Sequence, residues 1–390
     1  MLLSYRIFAS FLVCMCLLVL PARLLAAPAV VSLADDFDQQ FKAALTEHKI
    51  PGAAYAIVKD GKIVKIKAYG KRALGADLPV TQNTVFRLAS VSKTFSAELA
   101  AMLVAEGKFN WNDQITKYVP AFKLQTAGHA ERLQIDHILS HSSGLTPNAY
   151  DNMLEDGWGL AKIIPRFRRL KPICKPGDCY GYQNILYSFI EPVIEKTSQS
   201  RFEDLMQHRI FEPLGMGHSS VGLEGYLSAA NRAEPHVLTR KGWYRTAVKP
   251  NYYKVAPAAG VNASIEDLAK WVRAQMGFNA DVLDPALLSV VTKKRVRTKR
   301  ETRKRMWRPH LDDAHYGYGW RIYSIGGEDV IMHGGGVSGF RSLVAFSKER
   351  GIGQVILMNA ETRSIDKLAA VFWSKVTAEP VVGGGPVSAR

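Results

Sequence analysis

Ser90-Val91-Ser92-Lys93 is the stretch whose residue types and spacing bear most directly on chemistry. A spacing of three sets Ser90 and Lys93 on one face of a helix, about 5–6 Å apart. A serine hydroxyl becomes a nucleophile only with a base within hydrogen-bond reach. Lysine can be that base if burial or nearby positive charge lowers its pKa enough to leave it partly neutral. A helix N-terminus adds partial positive charge and an unpaired N–H, both favourable to an oxyanion. The bare pattern is not specific, because Ser364-Ile365-Asp366-Lys367 repeats it. Context separates them: Val85-Phe86-Arg87-Leu88-Ala89 precede Ser90 and an apolar helix follows, whereas Lys367 is expected at the surface.

Two further segments supply what acyl transfer needs. Tyr182-Gln183-Asn184 follows Pro176-Gly177 and precedes an apolar helix. A phenol there can share a proton with Lys93, and the Asn184 carboxamide can orient a substrate amide. Tyr150-Asp151-Asn152 has the same form and is the alternative. His333-Gly334-Gly335-Gly336 ends an expected strand. Its glycines allow close backbone approach, and the Gly336 N–H can be a second oxyanion donor beside that of Ser90. Cys174 and Cys179 flank Lys-Pro-Gly-Asp, a turn that favours a short-loop disulfide at the entry to Tyr182. There is no Gly-x-Ser-x-Gly elbow, no His-Glu-x-x-His and no phosphate-binding glycine loop, which counts against α/β-hydrolase, metalloprotease and nucleotide-binding readings. No cofactor or metal is expected.

Phe86-Arg87-Leu88-Ala89-Ser90-Val91-Ser92-Lys93-Thr94-Phe95 resembles the nucleophile segment of class C β-lactamases and related penicillin-binding proteins. Leu139-Ser140-His141-Ser142-Ser143-Gly144-Leu145, Phe211-Glu212-Pro213-Leu214-Gly215-Met216 and residues 260–268 are similar to further segments of that family, in its order. The resemblance spans residues 35–376. It implies that Ser90 attacks, that Lys93 and Tyr182 exchange the proton, and that water cleaves the acyl-enzyme. It also implies that Asn184 holds the substrate's amide side chain, with Asn148 near a second carboxamide position. His333-Gly334-Gly335 falls where the family has Lys-Thr-Gly, so the carboxylate-binding lysine is replaced. Arg363 and Lys367 are candidate substitutes. A His333 that met the carboxylate would bind it better as pH falls.

The elements that must position these residues follow from periodicity. Residues 35–48 read as a helix, Ala53–Val58 and Ile63–Tyr69 as a hairpin turning at Asp60-Gly61, and Ser90–Glu106 as a helix. Helical patterns fill 111–271. Strands return at 319–324, 329–333, 342–347 and 353–359, and a helix closes at 364–376. The expected fold is α+β and β-lactamase/transpeptidase-like: an antiparallel sheet flanked by terminal helices, with an inserted, mostly helical lobe. The expected sheet lobe is 28–85 with 315–378, the helical lobe 86–314, and 379–390 a disordered tail.

Residues 1–27 read as a secretory signal peptide: Arg6, an apolar run from Phe8 to Leu20 containing Cys14 and Cys16, then small residues. Export implies a periplasmic, oxidising setting. The formal net charge is +16, and residues 293–308 alone carry ten cations against Glu301. For an exported chain this suits an anionic envelope surface rather than nucleic acid. The expected function is opening of β-lactam rings: penicillins, cephalosporins or carbapenems. The alternatives are a D-amino-acid peptidase or esterase of the same fold acting on peptidoglycan-like peptides or small esters and, from another class, a non-hydrolysing penicillin-binding receptor or envelope-binding module.

Overall fold

The computed structural model describes residues 26–379, with side chains from residue 31. The expected leader lies outside these residues except for Ala26 and Ala27, which open the first helix, α1 (Ala26–Glu47). Cys14, Cys16 and the expected tail after Glu379 also lie outside them.

Asp60 and Gly61 adopt φ of 46° and 74°. Positive φ at both centres is the geometry of a tight two-residue hairpin turn. It joins β1 (Gly52–Lys59) to β2 (Lys62–Gly70). Along β1 the side chains alternate between two cores. Ala54, Ala56 and Val58 face the helical lobe, and Ala53, Tyr55 and Ile57 face the terminal helices. The other strands come late in the chain: β3 (Val296–Arg297), β4 (Asp313–Tyr316), β5 (Arg321–Ile325), β6 (Glu328–Val337), β7 (Phe340–Ser347) and β8 (Ile352–Met358). They form one antiparallel sheet in the order β2-β1-β8-β7-β6-β5-β4-β3, so the two chain ends pair through β1 and β8. On one face α1 and α3 (Ser364–Ala378) pack aromatic side chains, Phe37 lying 5.0 Å from Tyr55 and 5.3 Å from Phe372. The other face carries the helical lobe.

The centre of that lobe is α2 (Ser92–Ala105), in which every residue from Ser92 to Leu103 is buried. Its low amphipathicity follows from being packed on all sides. Trp271 stacks on Phe95 with centroids 4.0 Å apart and donates to the Thr94 hydroxyl at 3.1 Å.

Two expectations are corrected here. Residues 293–308 are not part of the helical lobe, since Val296–Arg297 is the edge strand of the sheet, paired with His315 and Tyr316. Several of its cations have acidic partners, including Lys294 with Asp329 at 2.7 Å and Arg297 with Asp313 at 2.8 Å. Its single acid, Glu301, is buried beneath Arg321 at 2.8 Å and Lys304 at 2.6 Å. The expectation also omitted a hairpin, His236–Thr239 with Gly242–Arg245, the edge strand β3 and the short strand β4 beside it.

β5 pairs with β6 only as far as Met332. His333 to Val337 therefore has no strand beside it on that side. This open edge faces the start of α2.

Candidate active site

Ser90 is the one residue between Thr84 and Leu103 that is not fully buried. Ala89 before it has φ of 48°, a left-handed conformation that costs an L-residue about 1–2 kcal/mol. Seven non-glycine residues have positive φ in the described chain, and four of them, Ala89, His141, Asn148 and Tyr150, ring this site. Backbone strain of that kind persists where surrounding contacts over-determine it. Ser92, the pattern's other serine, is structural: its hydroxyl donates to the Ala89 carbonyl at 2.6 Å and accepts from the Val261 N–H at 2.9 Å.

Lys93 is fully buried, and Nζ donates to Asn184 Oδ1 at 2.7 Å and to the Ala258 carbonyl at 3.0 Å. It lies 4.7 Å from the Tyr182 ring centre and 5.3 Å from that of Tyr187. Burial holds its pKa well below the usual lysine value; Asp151 opposes this and Arg321 adds to it. A neutral amine has two N–H bonds and one lone pair. The two acceptors take the N–H bonds, which leaves the lone pair for a proton from Ser90 or Tyr182. Burial likewise raises the Tyr182 pKa, while Arg321 and the adjacent Ser90 hydroxyl favour the phenolate.

Asn148 reaches the site through its backbone, its N–H donating to the Tyr182 carbonyl at 2.7 Å, while its side chain is exposed. The alternative motif at 150–152 does not supply a second phenol, because the Tyr150 hydroxyl donates to the Arg166 carbonyl at 2.9 Å and Asn152 is exposed. Ser364 is buried at the start of α3, and Lys367 lies exposed in a cleft against α1.

His333 is buried with both ring nitrogens engaged. Nδ1 donates to the Gly334 carbonyl at 2.9 Å, and Nε2 accepts from the Tyr316 hydroxyl at 3.0 Å. Burial, then Arg321 and Lys93, hold its pKa well below the usual histidine value. The expectation of a carboxylate-binding imidazolium that gains strength in mildly acidic medium is thus corrected: the ring is neutral there and has no free N–H to offer. Nor do Arg363 and Lys367 replace the missing cation, since both are exposed on α3 or just before it. Arg321 lies beside Tyr182, its guanidinium 5.5 Å from the Tyr182 ring centre and 5.6 Å from that of Tyr316. It also lines a cavity of about 280 Å³ together with Lys304, Trp307 and Gly334 to Gly336. Gly335 must be glycine, since a Cβ there would meet the Leu88 carbonyl oxygen at 2.1 Å. Gly334 and Gly336 are exposed along the open edge.

Cys174 and Cys179 are disulfide-bonded. The loop they close docks on the 141–146 segment, where Gly177 N–H donates to the Ser142 carbonyl and Gly181 N–H to the His141 carbonyl, both at 2.8 Å. Closure of so short a loop contributes about 2 kcal/mol. Reduction should lower the urea midpoint accordingly and should also lower turnover, because Tyr182 lies at the end of the docked segment. Unfolding curves indifferent to reductant would show that the bond contributes nothing.

Reasoning from sequence missed Arg321, Asp151, His141 and Tyr316. The Tyr316-Gly317-Tyr318-Gly319-Trp320 run carried a usable signal: a Cβ at Gly319 would lie 2.3 Å from the Lys93 carbonyl oxygen, so this segment presses on α2. His141 accepts the Gln183 N–H at Nδ1 (3.2 Å), and its ring centre is 4.3 Å from that of Tyr182.

An antiparallel sheet with terminal helices on one face, a helical lobe on the other and the site at the start of a buried helix is the β-lactamase/transpeptidase-like architecture of a hydrolase superfamily. The chain matches the β-lactamase family over residues 37–374 and belongs to it. It is similar to "Unguisins hydrolase ungD'" of Aspergillus campestris, 26% identical over 337 residues, covering 84% of this chain and 62% of that protein. It is also similar to "Protein flp" of Staphylococcus aureus, 25% identical over 344 residues, covering 86% of this chain and 66% of that protein. The chain thus spans somewhat under two thirds of the length of these relatives. The octameric penicillin-binding protein homologue from Pyrococcus abyssi superposes with a TM-score of 0.74 at 26% identity, covering 88% of this chain and 76% of that one.

Proposed function

We propose that the chain is a serine hydrolase that forms an acyl-enzyme on Ser90 and opens β-lactam rings. The observation that carries this reading is the buried Lys93 amine, with its two N–H bonds committed to Asn184 and Ala258 and the Tyr182 phenol beside it. In this reading Lys93 and Tyr182 take the Ser90 proton as the hydroxyl attacks the carbonyl. The Ser90 and Gly336 N–H groups receive the oxyanion, Tyr182 passes the proton to the leaving nitrogen, and water then releases the acid. Arg321 meets the substrate carboxylate in place of the family's lysine. The Cys174–Cys179 pairing supports an exported, periplasmic setting.

A second reading, a D-amino-acid peptidase or esterase, is favoured by the neutral His333 where β-lactam hydrolases of the family carry a cation. Turnover of a penicillin, a cephalosporin, a D-Ala-D-Ala peptide and a nitrophenyl ester by the purified chain separates the two. β-Lactam turnover exceeding that of peptide and ester supports the first, and peptide or ester turnover alone overturns it.

Arg321→Met combined with Glu301→Gln, which avoids leaving a buried carboxylate unpaired, tests the anchor. The expected result is a kcat/KM loss of roughly 10- to 150-fold for carboxylated substrates, the worth of a charged hydrogen bond. A neutral ester should be hardly affected. Equal losses on both would remove Arg321 from substrate binding.

A further inference from the structure

Asp151 lies in the motif first considered as an alternative phenol site, yet it is Asp151 that the fold turns inward. Tyr150 before it has φ of 64°, and this left-handed residue aims the carboxylate into the helical lobe, where it is buried. Oδ2 accepts from Asn184 Nδ2 at 2.7 Å, and Asn184 Oδ1 in turn accepts from Lys93 Nζ at 2.7 Å. The other carboxylate oxygen, Oδ1, is buried with no protein partner. A buried acceptor left without a donor is costly, and burial raises the Asp151 pKa, while the Asn184 hydrogen bond and nearby Lys93 favour the carboxylate.

We propose that Asp151 is a positioning residue for the Ser90–Lys93–Tyr182 site, fixing the Asn184 carboxamide so that its oxygen, never its amide nitrogen, faces the Lys93 amine. The inference rests on the acyl-enzyme reading above. Its chemical content is an orientation rule. An Asn side chain can turn over and exchange its oxygen and nitrogen at little cost in shape. Only a partner without hydrogen-bond donors prevents this, and an ionised carboxylate is acceptor-only. With Asn184 locked, the amine spends both N–H bonds on Asn184 and Ala258 and keeps its lone pair for the proton of Ser90. With Asn184 turned, an NH₂ group would face Lys93 and compete for that lone pair. The carboxylate also places negative charge near Lys93. The other groups facing Lys93 are Tyr182, Tyr187, His141, His333 and Arg321. Burial and the neighbouring cations keep both histidines neutral, and Arg321 is fixed in charge. Glu155 and Tyr252 face Asp151 from the other side.

The test is the pH profile of kcat/KM for Asp151→Asn in the full chain, with acylation of Ser90 in the unaltered enzyme established by intact mass. An asparagine at 151 keeps the shape but loses the charge and gains donors. The expected result is a 10- to 100-fold lower plateau kcat with KM within about threefold, since an oriented base contributes on the order of 10²–10⁴. The acid limb should move to lower pH, because the negative charge that favours the protonated amine is gone. Asp151→Glu should keep the limb in place and recover part of the plateau. A full plateau, or a lowered plateau with an unmoved limb in Asp151→Asn, overturns the proposal. If Asp151→Asn does not fold, Asp151→Glu decides: a reduced plateau with an unmoved limb supports it, and an undiminished plateau overturns it. Absence of any Ser90 adduct in the unaltered enzyme is a different failure and removes the acyl-enzyme reading itself.

Discussion

Ser90→Ala is expected to lower turnover of every acyl substrate by about 10³- to 10⁶-fold, the range seen when the nucleophile of an acyl-transfer site is removed. Neither of the other two pattern serines is placed to take over. Ser92 is spent on Ala89 and Val261. Ser364 hydrogen-bonds with Thr362 near the start of α3, with its companion Lys367 exposed against α1. Incubation with a fluorescent penicillin followed by intact mass should show one adduct in the unaltered chain and none in Ser90→Ala. Ser364→Ala should behave like the unaltered chain. An adduct that survives Ser90→Ala would falsify the assignment of the nucleophile.

The second large effect concerns stability. Glu98 lies on α2, fully buried, with neither carboxylate oxygen in a well-directed hydrogen bond. Burial raises its pKa to about 8, against smaller opposing effects of Lys348 and Gln275. The folded chain therefore keeps Glu98 protonated at neutral pH, whereas the unfolded chain ionises it above about pH 4.3. A raised acid pKa means that stability is fully present below the unfolded value and declines as pH climbs towards the folded one. By pH 7 the loss amounts to about 3–4 kcal/mol. Glu98→Gln cannot ionise, so its melting temperature should rise relative to the unaltered chain between pH 5 and pH 8, by several degrees. The comparison across pH cancels any fixed cost of fitting the amide. Curves that stay parallel would show that Glu98 does not titrate in this window.

What the sequence made legible, and what it hid, divides along the range of the interactions. The Asp60-Gly61 turn, the β6 to β8 strands and α3 follow from local periodicity and turn chemistry, and all appear close to where they were expected. Ser90, Lys93, Tyr182 and Asn184 converge because each sits at or near a helix start, which sequence marks well. The edge strand β3 was hidden within a charge run: two residues of pairing leave no alternating pattern, and ten cations suggest solvent. Arg321 was hidden for a different reason. It sits on a strand whose register with β4 and β6 brings it beside Tyr182, and register is decided by partners far away in sequence. Asp151 was read as the centre of a Tyr-x-Asn triplet, because nothing local reveals that Tyr150 turns left-handed.

The left-handed residues around the site also govern how it fails. Of Ala89, His141, Asn148 and Tyr150, two, His141 and Asn148, are tied to the 181–183 segment that carries Tyr182, through Asn148 to Tyr182, Gln183 to His141 and Gly181 to His141. None of these bonds belongs to the sheet ladder or to the interior of α2. Once one loop lets go, its neighbours lose the contacts that kept them in costly conformations, so they relax together as a local opening unit. Heat is therefore expected to disarm the site while the sheet is still paired: turnover should be lost at a lower temperature than the far-UV circular dichroism signal, and coincident losses would overturn this.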